Sequence, residues 1–276
     1  MALKITTLVE NSQGEHLGLK TEHGLSFFIE KDGHTLLFDT GQSGIFIENA
    51  RQLRINLADL EYVVLSHGHY DHSGGLRSLS ERAKKFELLF GEGFFNEKYG
   101  YYNNAYEYLG NNFDETFLAE RGIPYRSVSE DVEELIPGFF VITNFPRIHE
   151  DEVINPRFRV LKDGSFQPDR FDDEVMIAIE TEKGLVALLG CSHPGMRNML
   201  DFAEKKLGKA IYAVLGGTHL VESAKDSRAR SLDYFKEKNI EVVGVSHCTG
   251  KEAMELLKNT NSHFFQNWTG RSLIVS

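Results

Sequence analysis

The chain of 276 residues contains only two cysteines, Cys191 and Cys248. Two thiols do not build a disulfide framework, so the fold has to rest on packed apolar side chains. Basic residues are also scarce: 30 Lys and Arg stand against 41 Asp and Glu, a formal net charge of −11. That balance argues against a nucleic-acid backbone as the main partner, because phosphate binding needs a basic surface. It leaves room for a local basic pocket around one small anion. No apolar run approaches the roughly 18 residues of a transmembrane helix. The opening Met1-Ala2-Leu3-Lys4-Ile5-Thr6 has no charged-then-apolar signal pattern. Linkers, repeats and low-complexity segments are absent too. The expectation is a soluble, cytoplasmic protein that binds neither nucleic acid nor membrane. Its 41% hydrophobic residues suffice for a full core within a single domain spanning 1–276.

What is present reads as strands first and helices later, twice over. In the first half, 26–30 and 34–39 are β-rich and joined at Asp32-Gly33, a hairpin signal. A helix is predicted over 45–53, a short buried strand over 62–65, a helix over 74–84 and a strand over 86–90. In the second half, 175–181 and 185–190 form a hairpin across Lys183-Gly184. Helices are then predicted over 197–207, 224–238 and 251–258, with strands over 211–215 and 241–245. This order suits an α+β fold of two sheets packed face to face with helices outside. The stretch 91–134, rich in tyrosine and asparagine with weak periodicity, reads as an insertion or lid.

The chemistry-bearing segment is Ser66-His67-Gly68-His69-Tyr70-Asp71-His72-Ser73-Gly74-Gly75. Three of the 11 histidines and one aspartate fall within six residues, directly after a strand. In extended chain, alternate side chains point the same way, so His67 and His69 can reach one metal together. Asp71 and His72 sit where the chain turns toward a second. Imidazole and carboxylate are the ligands expected for zinc, iron or manganese. The bland alternative is a solvated histidine-rich turn, which would not call for this strand–loop–helix frame.

His67-x-His69-x-Asp71-His72, with Phe38-Asp39-Thr40-Gly41 upstream, resembles the signature of the metallo-β-lactamase superfamily over nearly the whole chain. The resemblance implies a four-layer αβ/βα sandwich holding one or two transition-metal ions, zinc first among them. It makes Asp71 a second-site ligand or proton shuttle and His72 a second-site ligand. Further candidates lie in Gly190-Cys191-Ser192-His193-Pro194-Gly195 and Ser246-His247-Cys248-Thr249-Gly250. His247 stands where the superfamily places its last ligand. These segments, with Gly216-Gly217-Thr218-His219, are similar to the branch labelled dihydropterin-methyl-ribofuranosylaminobenzene 5′-phosphate synthase. Two departures stand out. Cys191 follows Gly190 where most members carry a bridging aspartate. The intermediate histidine has no clean counterpart, with His193 the first candidate and His149 the second.

Each of these has a plainer alternative. Cys191 reads equally as a small buried residue, and Cys248 reads as packing. His219 is a ligand, general acid or substrate contact, or none of these. His16, His23, His34 and His263 read as surface or structural. Arg147, with Arg157 and Arg159, suits a phosphate or carboxylate clamp or a solvated loop.

The expected reaction is hydrolysis of an ester-, lactone- or phosphodiester-like bond in a small anionic or aromatic molecule. The nucleophile would be a metal-bound hydroxide, formed when the ion lowers the pKa of its water from 15.7 to about 7. His67, His69 and His193 would hold one ion, and Asp71, His72 and His247 the other. Asp71 would accept a proton and His219 donate one to the leaving group. Two alternatives stand beside this: a di-iron redox protein, and a degenerate-site ligand-sensing or pterin-pathway protein.

Overall fold

Asp32 and Gly33 both take positive φ, 54° and 90°. The chain therefore reverses in two residues and pairs Ser26–Lys31 with His34–Phe38 as an antiparallel hairpin. This computed structural model describes residues 2–83 and 85–276. Two compact units divide the chain. One comprises Met1–Val128, Asn155–Asp173 and Trp268–Ser276; the other comprises Ser129–Ile154 and Glu174–Asn267.

The hairpin lies in a seven-stranded sheet of the first unit. Its order is Ser272–Val275, Leu3–Val9, Ser26–Lys31, His34–Phe38, Tyr62–Val64, Glu87–Gly91, Tyr125–Val128. The last four of these strands run parallel. Helix Ile45–Gln52 turns Phe46, Asn49 and Ala50 inward. Asn49 Nδ2 donates to the Leu8 carbonyl at 2.8 Å, which fastens the helix to strand Leu3–Val9. Leu37, Phe46, Val63, Leu76, Phe86 and Leu88 make up much of the core, each contributing about 1.5–3 kcal/mol by burial.

The helix expected over 74–84 is shorter than its pattern. Single turns form at Tyr70–Ser73 and Leu76–Leu79, separated by Gly74-Gly75, the poorest helix formers after proline. Its expected end, Lys84, lies outside the described residues.

The stretch 91–134 is not one insertion. Glu97–Tyr102 and Ala105–Tyr108 form a hairpin through Asn103-Asn104, at φ 47° and 65°. Phe158–Lys162 and Ser165–Pro168 form another through Asp163-Gly164, and the two join as a four-stranded antiparallel sheet. Beyond the first hairpin the chain returns to the framework. Helix Glu115–Arg121 is capped by Asp114 Oδ1 on the Phe117 N–H at 2.9 Å, and it buries Phe117 and Leu118. Tyr125–Val128 is the edge strand of the large sheet.

The second unit holds a six-stranded sheet ordered Val242–Ser246, Ile211–Gly217, Gly184–Leu189, Met176–Thr181, Phe139–Ile142, Val132–Ile136. Its first three strands are parallel. Helices Met196–Leu207, Lys225–Glu237 and Lys251–Thr260 bury Met199, Leu200, Leu232, Phe235, Ala253 and Leu257 in a core with Leu185, Ala187, Val214 and Val243. Among the described residues no helix is long and apolar enough to cross a membrane.

Candidate metal centre

In the first unit the candidate ligands follow the carboxyl ends of neighbouring parallel strands. His34–Phe38 runs into Asp39, which takes φ 60°. Tyr62–Val64 leads to Ser66 and His67. Asp39 is fully buried and holds three partners. Its Oδ1 accepts the Ser66 N–H at 2.7 Å, while Oδ2 lies 2.8 Å from Ser66 Oγ and 2.6 Å from His72 Nδ1. A carboxylate only accepts, so His72 Nδ1 carries the proton and its Nε2 keeps the lone pair. Ser66 Oγ spends its proton on Asp39 and accepts from His67 Nδ1 at 2.9 Å. That fixes His67 Nε2 as the lone-pair nitrogen too. Carboxylate and hydroxyl groups behind imidazoles orient metal ligands in this way.

The imidazoles converge. His67 lies 4.7 Å from His69 and 4.3 Å from His72 between ring centroids. His67 Nε2 and His69 Nδ1 stand 3.2 Å apart. A tetrahedral zinc bound to two imidazoles at its usual bond length holds their nitrogens about 3.3 Å apart. Burial, reinforced by His72 and His69, holds the His67 pKa well below the ordinary imidazole value. The ring is therefore neutral, the form that binds metal. The donor set thus fits a transition-metal ion.

Asp71 Oδ2 lies 3.1 Å from His23 Nε2 and 3.6 Å from His72 Nε2. His23, exposed as the sequence leads one to expect, also buttresses this carboxylate. The hydrogen bond to Asp71 raises the His23 pKa against the opposing effect of burial.

The linking Gly68 is required by close approach: a Cβ there would sit 2.3 Å from the Phe94 carbonyl oxygen. Its N–H donates to Asp173 Oδ2 at 2.8 Å. Asp173 Oδ1 in turn accepts from Lys98 Nζ at 2.8 Å, and Lys98 also donates to Asp169 at 2.8 Å. Lys98 is only 1% exposed, yet Asp173 and Asp169 outweigh its burial and raise its pKa, so it stays charged. Its ammonium also faces the Phe171 ring, which meets His69 edge-on at 5.3 Å.

The second unit carries the remaining candidates. Glu174 is fully buried, and its two carboxylate oxygens accept the N–H groups of Ser192 and His193. Ser192 Oγ donates to the Gly217 carbonyl at 2.8 Å. The turn bearing His193 is thus anchored through Ser192 and the His193 amide, and the His193 and His219 rings lie 4.3 Å apart. Donor atoms of Cys191, His247 and Cys248 all lie within 4.8 Å of one another. Ser192, His219 and His247 take φ of 62°, 49° and 54°, values costly for residues with side chains and common at functional loops.

His149 does not join this group: its Nε2 is 2.7 Å from Asp201 on helix Met196–Leu207. Arg147 is exposed on the loop after Phe139–Ile142.

The sequence reading missed Lys98, Asp169, Asp173 and Glu174. Phe171-Asp172-Asp173-Glu174 carries no metal-ligand spacing. The one available signal was a lysine inside a tyrosine-rich strand, where burial demands paired carboxylates.

A family model described as Metallo-beta-lactamase superfamily matches residues 19–164. A protein of Methanocaldococcus jannaschii named 7,8-dihydropterin-6-methyl-4-(beta-D-ribofuranosyl)-aminobenzene-5′-phosphate synthase is 30% identical, over 91% of this chain and 89% of its own. An uncharacterized protein of the same organism is 32% identical over 88% and 90%. The solved structure of Tm1679, described as a metal-dependent hydrolase of the beta-lactamase superfamily, matches with a TM-score of 0.87 and 30% identity. It covers 99% of both chains. In sequence and in its mixed, multi-sheet α/β fold, the chain belongs to the metallo-beta-lactamase superfamily.

Proposed function

We propose that this protein is a metal-dependent hydrolase of an ester-, lactone- or phosphodiester-like bond in a small molecule. The observation that carries the reading is the His67, His69 and His72 cluster. It is buried and convergent, and the proton-bearing nitrogens of His67 and His72 are tied to Ser66 and Asp39. His67 and His69 would hold one ion and Asp71 and His72 a second, while His193, His247 and Cys191 are the candidate ligands that the second unit carries on its own loops. Zinc suits these donors best, with iron and manganese as alternatives. When bound, such an ion supplies Lewis acidity at neutral pH.

The residues of the chain do the rest. Asp71 accepts a proton from the attacking water, and His23 fixes the direction of its carboxylate. His219 donates to the leaving group. Arg147 is the proposed contact for an anionic or aromatic substrate. A chain with only two cysteines suits a reducing compartment, and we place the protein in the cytoplasm.

The test is turnover of a panel of esters, lactones and phosphodiesters by chelated and zinc-restored protein. Activity that vanishes on chelation, returns with zinc and falls at least about 100-fold in Asp71→Asn supports the reading. Failure of the fully metal-loaded protein on every member contradicts it.

A second reading comes from the relative named as a dihydropterin phosphate synthase, which shares 30% identity. The same metal ligands would then serve a pterin-pathway reaction. Product formation from a dihydropterin substrate without hydrolysis of the panel would favour it, since one fold hosts many chemistries.

A further inference from the structure

We propose that Cys191, His247 and Cys248 form a two-sulfur metal subsite that takes a zinc-class ion. The inference rests on the metal-dependent reading above and adds to it a donor, Cys248, that the sequence assigned to packing.

The three residues follow the carboxyl ends of parallel strands. Gly184–Leu189 leads to Cys191, and Val242–Ser246 leads to His247 and Cys248. Ile211–Gly217 lies between these strands in the sheet. Strands two places apart are separated by about 9.5 Å, too far for the outer loops to meet over an ordinary middle residue. Gly217 ends the middle strand and removes that obstacle. A Cβ there would lie 2.5 Å from Cys248 Sγ and 3.3 Å from Cys191 Cα. The space a side chain would fill is occupied by the sulfur.

His247 takes a φ of 54°, an uncommon value for a residue with a side chain. All three donors lie within 4.8 Å of one another. In a tetrahedral zinc site, donor separations are about 3.8 Å for two sulfurs and about 3.6 Å for sulfur and nitrogen. Closing the cluster around an ion therefore needs shifts of about 1 Å at most.

The surroundings are those of a ligand sulfur. The His219 N–H donates to Cys248 Sγ at 3.3 Å, a contact that strengthens when the sulfur is negative. The Cys248 thiol proton faces the Cys191 carbonyl at 3.5 Å, a weak bond that costs little to give up. A divalent ion entering the site would form two metal–sulfur bonds and one metal–nitrogen bond. The two thiol protons would pass to solvent, and no oxidant or reductant is required. Soft sulfur donors favour zinc over magnesium, calcium or manganese.

The experiment is zinc-edge X-ray absorption on the whole, zinc-loaded protein, with Cys191→Ser and Cys248→Ser beside it. Each variant is checked for folding by its unfolding midpoint, and its remaining thiol is titrated with and without chelator. The subsite predicts a sulfur shell at about 2.3 Å with two sulfurs per chain, dropping to one in each variant. Both thiols of the parent should react only after chelation. Full zinc content with a nitrogen–oxygen shell alone overturns the subsite and leaves the hydrolase reading standing. A single sulfur lost only in Cys191→Ser also overturns it, because Cys248 would then be no ligand. Absence of bound zinc from the folded parent protein overturns both.

Discussion

At the scale of single residues, Asp39 carries the most. One buried carboxylate satisfies the Ser66 amide, the Ser66 hydroxyl and His72 Nδ1 together. Asparagine keeps the shape but replaces one acceptor oxygen with a donor, so at least one of these partners is left unmatched. Asp39→Asn should weaken metal binding by about 10–100-fold, the usual cost of losing a group behind a ligand. It should also lower stability by about 1–3 kcal/mol. Competition with a chelator and denaturant unfolding check the two effects separately, and unchanged metal affinity would remove Asp39 from its orienting role. The motif Phe38-Asp39-Thr40-Gly41 was visible in the sequence as a strand end, but the three bonds were not. They depend on residues 27 and 33 positions away, brought close only by parallel pairing of strands. Glu174 was illegible for the same reason, since its partners Ser192 and His193 lie across a hairpin.

At the scale of elements, strand Glu97–Tyr102 does more than pair. It carries Lys98 into a buried ion triad with Asp169 and Asp173, and Asp173 holds Gly68 between two candidate ligands. Lys98→Met leaves two carboxylates buried without their cation and should destabilise the protein by about 3–5 kcal/mol. Adding Asp169→Asn and Asp173→Asn to it should recover part of that loss, because the stranded charges disappear. If the triple variant is less stable than Lys98→Met alone, the triad is not the cause. Elements with clear periodicity were legible: the helices expected over 45–53, 197–207, 224–238 and 251–258 appear with ends shifted by a residue or two. The four-stranded sheet was not. Its turns, Asn103-Asn104 and Asp163-Gly164, are hairpin signals, yet its strands carry tyrosine and charge on faces that lack the usual alternation.

At the scale of the whole molecule, carboxylates paired with arginines shape the response to pH. Asp151 shows how. Burial raises its pKa, but hydrogen bonds from Arg197 and Arg230 prevail and bring it to about 2. A lowered carboxylate pKa stabilises the fold above the unfolded value near 3.8, and that stabilisation is lost as pH falls through about 2. Arg230→Ala should return the Asp151 pKa toward its ordinary value. The variant should be less stable than the parent at neutral pH and lose less stability between about pH 4 and pH 2. Unfolding midpoints across that range check this, and parallel curves would exclude the Asp151 pairing as a source of acid sensitivity. The fold family was legible at this scale, and so was the candidate cluster whose rings converge, because His67-x-His69-x-Asp71-His72 is contiguous. The supporting carboxylates were scattered along the chain and had to be located in three dimensions.

The most direct test of the central claim is elemental analysis of transition metal in the parent protein and in His67→Ala, each reconstituted with zinc and freed of excess ion. The His67, His69 and His72 cluster predicts at least one tightly held ion per parent chain and loss of more than about half of it in the folded variant. A parent protein that retains no ion, or a His67→Ala variant with the full parental content, would contradict the account.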